Sequence, residues 1–124
     1  IGSVAQPQIL DANTQMTKVV IHPTTTTTDV TVIPFLVDAN YKVIVIGETY
    51  TIDTTEDVSY EIVFDSTLTA TEPFYFGTYE SIETKHDPNY ENGNYLWESG
   101  TPELNTTISG PGSNSVRSTQ GYGY

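Results

Sequence analysis

No cysteine occurs in the 124 residues. That excludes a disulfide framework, a thiolate metal site and a thiol nucleophile together. Basic residues are almost as scarce. Lys18, Lys42, Lys85 and Arg117 face sixteen acids, which gives a net charge of −12 and a pI near 4.1. A nucleic acid is therefore not an expected partner, because phosphate recognition needs a basic face. Anionic lipid is excluded on the same ground. No apolar run approaches the roughly 20 residues that cross a bilayer as a helix, so membrane insertion is not expected.

Motifs of catalysis are missing too. No serine sits in a nucleophile elbow. His22 precedes Pro23, and His86 lies beside Asp87. Neighbouring strand residues point to opposite faces, so sequence adjacency makes no His–Asp pair. Two histidines without helical i, i+4 spacing make no zinc motif. A chain this short, with long polar loops, leaves little room for the deep cleft of a glycosidase carboxylate pair. The reading is of a protein that is not an enzyme.

What is present is threonine, twenty-one of them, with nine tyrosines. Both suit a pleated, half-buried surface. A Thr- and Tyr-rich, Lys-poor chain has the composition of an extracellular, cell-surface or virion protein. It begins at Ile1 rather than Met, which fits removal of an upstream leader.

The segment 30–65 reads VTVIPFLVDANYKVIVIGETYTIDTTEDVSYEIVFD. Apolar runs alternate there with turn chemistry at 38–40, 47–48 and 54–57, the pattern of a β-meander. Tyr41–Ile46, apolar on both faces, reads as the central strand. Val58, Tyr60, Ile62 and Phe64 read as one inward face. Pro34 places a bulge or a sheet edge in the strand Asp29–Val37. Met16–His22 precedes this block as a strand, and Pro73–Tyr79 follows it with Gly77 as a bulge candidate. Thr24–Thr28 reads as an exposed linker or edge, or as an O-glycosylation tract.

The expected fold is all-β: an antiparallel β-sandwich, immunoglobulin-like or jelly-roll-like, of about 7–8 strands. Residues 1–15 are expected to form an extended N-terminal arm, 16–109 the sandwich domain, and 110–124 a flexible Gly/Ser/Tyr-rich tail. Pro7 argues against a central strand position for the arm.

Four sets of candidate residues follow. Val4, Ile9 and Leu10 are the apolar residues of an arm that could complete a neighbour's sheet, the neighbour being another copy of the chain. Asp53, Glu56 and Asp57 place three carboxylates on one turn, a possible Ca²⁺ site without the spacing of an EF-hand; no other cofactor is expected. Tyr90, Tyr95 and Trp97 could stack on sugar rings, which keeps carbohydrate as a possible partner, although aromatic residues fill cores just as well. Asn105-Thr106-Thr107 is the single N-glycosylation sequon. The leading expectation is a structural subunit of a self-assembling homopolymer, a surface filament or a virion coat or decoration layer. A carbohydrate-binding module and a Ca²⁺-stabilised adhesion domain are the alternatives.

Overall fold

The structure, a computed structural model, describes residues 2–82, 86–109, 113–117 and 120–123. For 2, 4, 6–7, 86–98, 113–117 and 120–123 it describes the backbone alone. The described residues form ten strands and no helix: β1 (Gly2–Leu10), β2 (Met16–Ile21), β3 (Thr27–Val37), β4 (Val43–Ile46), β5 (Tyr50–Thr54), β6 (Tyr60–Leu68), β7 (Phe74–Glu80), β8 (His86–Glu98), β9 (Ser113–Arg117) and β10 (Gln120–Gly123). They pair antiparallel throughout, in two sheets. The larger sheet runs β4-β3-β7-β1-β8-β9, with β5 also pairing β3, and the smaller runs β10-β2-β6.

Period-two patterning decides which side chains meet. Val30, Val32 and Leu36 of β3, and Phe74 and Phe76 of β7, share one core with Met16, Val19 and Ile21 of β2 and Ile62, Phe64 and Leu68 of β6. The two sheets thus bury a common apolar layer, as in a sandwich. The opposite face of the large sheet has its own smaller core. Phe35, Val37, Val43 and Ala5 gather there under Ile108. This second core explains why β3 is buried from Val32 to Asp38 without alternation. Both of its faces are covered.

Several sequence expectations change in three dimensions. Gly47-Glu48 is not a hairpin turn. β4 pairs with Phe35–Val37 and β5 with Thr27–Val32, both antiparallel to the same strand. The two are therefore collinear, broken at 47–49. The Gly47 N–H donates to the Pro34 carbonyl at 2.8 Å across that break. A strand residue's N–H and C=O point to the same side, so the N–H that Pro34 lacks faces the break, where no ladder bond is owed. A proline is thus tolerated in a strand paired on both sides.

Tyr41–Ile46 is not central. β4 ends the ladder order, and its outer rim is closed by a strap. Asn105 N–H donates to Val43 O, Val43 N–H to Thr106 O, and Ile108 N–H to Tyr41 O. A covered rim lets an edge strand be apolar without inviting other strands. The interior strands of this sheet are β3, β7, β1 and β8. Val58 precedes the first ladder pair of β6, Tyr60 with Ile21, and is 53% exposed rather than inward. Tyr60 is exposed as well. Gly77 lies in unbroken register with Phe35, so it is no bulge on that side. Residues 110–124, read as a tail, contribute β9 and β10. Their Gly/Ser composition carries little local propensity, and the ladders to β8 and β2 supply the order instead.

The threonine tract is tied down at both ends. Thr27 and Thr28 open β3, the Thr54 hydroxyl donates to Thr25 O, and the Glu56 N–H donates to the Thr26 hydroxyl.

Candidate functional site

The most unusual feature of the large sheet is the place of β1. The first strand of the chain lies inside the sheet, between β7 and β8. On one side Gly2, Ser3, Val4 and Ala5 stand opposite Glu80, Tyr79, Thr78 and Gly77, and Ile9 and Leu10 opposite Tyr75 and Phe74. On the other, Ser3, Val4 and Ala5 stand opposite Glu98, Trp97 and Leu96.

Pro7 does not prevent this, contrary to the sequence reading. The register shifts between Ala5 and Ile9, so that Gln6, Pro7 and Gln8 stand opposite the single Phe76. The β8 ladder has ended at Ala5 by then. Pro7 therefore sits where neither neighbour asks for an N–H.

Small residues let the strand enter. Ala5 is fully buried in the outer core, and the row Phe35–Gly77–Ala5 crosses three strands with no side chain at its middle position. Ser3 is buried, and its hydroxyl donates to Gly100 O at 2.9 Å. Of the expected contact residues, Leu10 packs against the main core while Ile9 is 46% exposed. The side chain of Val4 lies outside the described residues. On the inner face of β7 the slot is polar. Glu80 and Thr78 are both buried, and the Thr78 hydroxyl has no hydrogen-bond partner among the described residues. Nothing in the sequence pointed to that patch, because Pro73–Tyr79 reads as an aromatic-rich strand with Gly77 as a bulge candidate.

β1 joins the rest of the chain through Asp11–Gln15. Thr14 N–H donates to Asp11 O, and Asn13, at φ 68°, donates its N–H to Ala70 O at 2.7 Å. Fully extended, those five residues span about 17 Å. The strand itself, GSVAQPQIL, has no charged side chain.

The other expected sites separate. Asp53, Glu56 and Asp57 are all exposed. Asp53 Oδ1 accepts the Asp29 N–H at 3.1 Å, and Asp57, at φ 62°, donates its N–H to Pro23 O. Among the described residues no group of three or more His, Asp or Glu is placed to hold a metal ion. Tyr90, Tyr95 and Trp97 fall on β8, and their side chains lie outside the described residues. Asn105 is exposed at the tip of the strap, at φ 65°.

Three pairings had no sequence signal, because each joins residues far apart in the chain or across a turn. The His22 Nδ1 and Ser59 Oγ lie 2.7 Å apart at the exposed end of β2. The Glu48 carboxyl is pushed up from its ordinary range, chiefly by a hydrogen bond with Asp65. Tyr41 and Tyr75 stack at 4.7 Å between ring centroids on the outer face. Tyr41 adopts φ 64° in a turn whose buried Asp38 accepts the N–H groups of Asn40 and Lys42 on one oxygen.

Comparison with protein-family models, curated proteins and solved structures finds no match.

Proposed function

We propose that this chain is a non-enzymatic structural subunit of a homopolymer outside the cytoplasm, a surface filament or a virion coat or decoration layer, in which β1 of one copy fills the slot between β7 and β8 of the next. The observation that carries this reading is the interior position of β1. A strand bonded on both flanks contributes two ladders of backbone hydrogen bonds, and every copy carries the same strand and the same slot. Exchange of such a strand is a low-cost route between chains, since the contacts made in the neighbour equal those given up at home. Head-to-tail exchange that does not close on itself yields a filament.

Two properties of β1 favour exchange. It is neutral in a chain of net charge −12, so its entry into a neighbour brings no like charge into the slot. Its connector needs to give up only the Asn13–Ala70 bond and one turn to extend. The connectivity also supports an immunoglobulin-like reading over a jelly roll: β2 pairs β6 in one sheet while β3 pairs β7 in the other. In that comparison β1 stands between the two strands that would otherwise be adjacent.

The absence of cysteine makes a direct test available. Ser3 and Tyr79 are opposed across the β1–β7 ladder, at a Cα separation of the kind a disulfide bridges. In a Ser3→Cys, Tyr79→Cys double variant allowed to assemble and then oxidised, exchange gives a ladder of covalent multimers on a non-reducing gel. A product that stays monomeric at high concentration, or assembles with every disulfide inside one chain, refutes it.

A further inference from the structure

We infer that Asn105 is a site of N-linked glycosylation, displayed on the strap that closes the β4 rim. The inference does not rest on the assembly reading. Asn105-Thr106-Thr107 is the one Asn-x-Ser/Thr tripeptide in the sequence, and the fold treats its parts differently. The backbone is fixed. Asn105 N–H donates to Val43 O, Thr106 O accepts from Val43 N–H, Thr107 bridges to Lys42, and Ile108 plugs the outer core at 4% exposure. The side chains of Asn105, Thr106 and Thr107 all face solvent.

The middle hydroxyl is occupied, with Thr106 Oγ1 donating to Glu103 O at 2.6 Å. The two groups a glycosyl transfer reads, the Asn105 amide and the Thr107 hydroxyl, take no hydrogen bond among the described residues. Asn105 stands at φ 65° on a two-residue turn, and it is exposed there. A sequon with acceptor amide and +2 hydroxyl both open to solvent, on a surface loop, is one that an oligosaccharide-transferring enzyme can reach on an exported chain.

The donor class is a lipid-linked sugar phosphate or pyrophosphate. The bond from Asn105 Nδ2 to the anomeric carbon forms, the anomeric C–O bond to the phosphate breaks, the phosphate leaves with the electron pair, and one amide proton passes to the enzyme's base. The glycan so placed stands beside the outer rim of β4. It would keep that flank of the sheet clear of other chains, adding to the protection the strap provides.

An asparagine is also well tolerated at positive φ for backbone reasons alone, so the test must separate turn geometry from modification. The full chain is exported behind a leader through a host that has an oligosaccharyltransferase, and the peptide containing Asn105 is mapped by mass spectrometry. In the parent chain it should be heavier by a whole number of sugar residues. Thr107→Ser should keep the modification and Thr107→Val should abolish it, with Asn105 and its turn untouched in both. Recovery of the parent peptide wholly unmodified overturns the inference, as does a modification that survives Thr107→Val.

Discussion

Gly47 and Pro34 meet backbone to backbone: the Gly47 N–H donates to Pro34 O at 2.8 Å, and a Cβ built on residue 47 would lie 2.9 Å from Pro34 Cγ and 3.2 Å from Leu68 Cδ1. The pair joins two oddities of the sequence into one device. The proline removes a ladder donor, the β4–β5 break falls at that point, and only a residue without a side chain lets the broken strand stay close enough to bond.

Gly47→Ala is therefore expected to lower stability by about 1–3 kcal/mol, the usual cost of overpacking a closed site. A shift of the midpoint in denaturant at unchanged slope checks it. The Pro34 ring and its carbonyl both oppose the new methyl, so little of that cost can be relieved by a side-chain rotation. A variant as stable as the parent would show that the break can widen freely.

Thr78→Val should be neutral or stabilising, by up to about 1–2 kcal/mol. The Thr78 hydroxyl is buried and bonds to nothing among the described residues. A buried polar group without a partner carries a desolvation penalty that an isosteric methyl does not. Thermal melting of the two chains side by side reads the sign. A clear loss would mean that the hydroxyl has a partner in the slot and serves it.

Tyr41 should resist ionisation. Burial first, then the hydrogen bond and charge interaction with Tyr75, push it from 10.0 to about 12. Because the folded-state value is the higher, the associated stability is complete below about pH 10 and is lost as pH rises through about 12. The loss is about 2 kcal/mol, less than two full pH units imply, since the rings are partly solvated. Tyrosinate absorbance during an alkaline titration should show one late component that disappears in Tyr41→Phe. If the wild-type curve has no late component, the stacked pair is open to water.

The meander was legible at the level of strands and not at the level of neighbours. Alternation in Tyr60–Leu68 correctly sets Ile62 and Phe64 inward, because a strand's two faces follow from its own geometry. The apolar residues on both faces of Tyr41–Ile46 point, by sequence alone, to a central strand. In fact a loop from sixty residues downstream covers its rim, through Asn105 and Ile108. A single strand's sequence records that it is covered and not by what. Pro7 shows the same limit from the other side. A proline rules out a ladder donor at its own position only, and the register slip that excuses it, three residues of β1 against the single Phe76, exists only in the pairing with β7.

The candidate site was visible only as Val4, Ile9 and Leu10 in an arm of residues 1–15; its place between β7 and β8 of the same chain was not. The three carboxylates Asp53, Glu56 and Asp57 were visible as a group, but Asp53 lies in β5, where its carboxylate accepts the Asp29 N–H, while Glu56 and Asp57 lie beyond the end of that strand.

The sequence alone determined the chemistry available: no thiol, few cations, a strongly acidic surface, and period-two apolar runs that can be buried only in sheets. It also marked Pro34 and Gly47 as positions with constraints of their own, a missing N–H and a missing side chain, which travel with the residues. Tertiary structure alone decided that β1 lies between β7 and β8, that β4 has a capped rim, and that Thr78 and Glu80 are enclosed. Those outcomes depend on pairing between strands dozens of residues apart. Backbone hydrogen bonds are the same for every residue but proline, so the order of strands in a sheet is set by which faces fit together, and that fit is a property of the assembled whole.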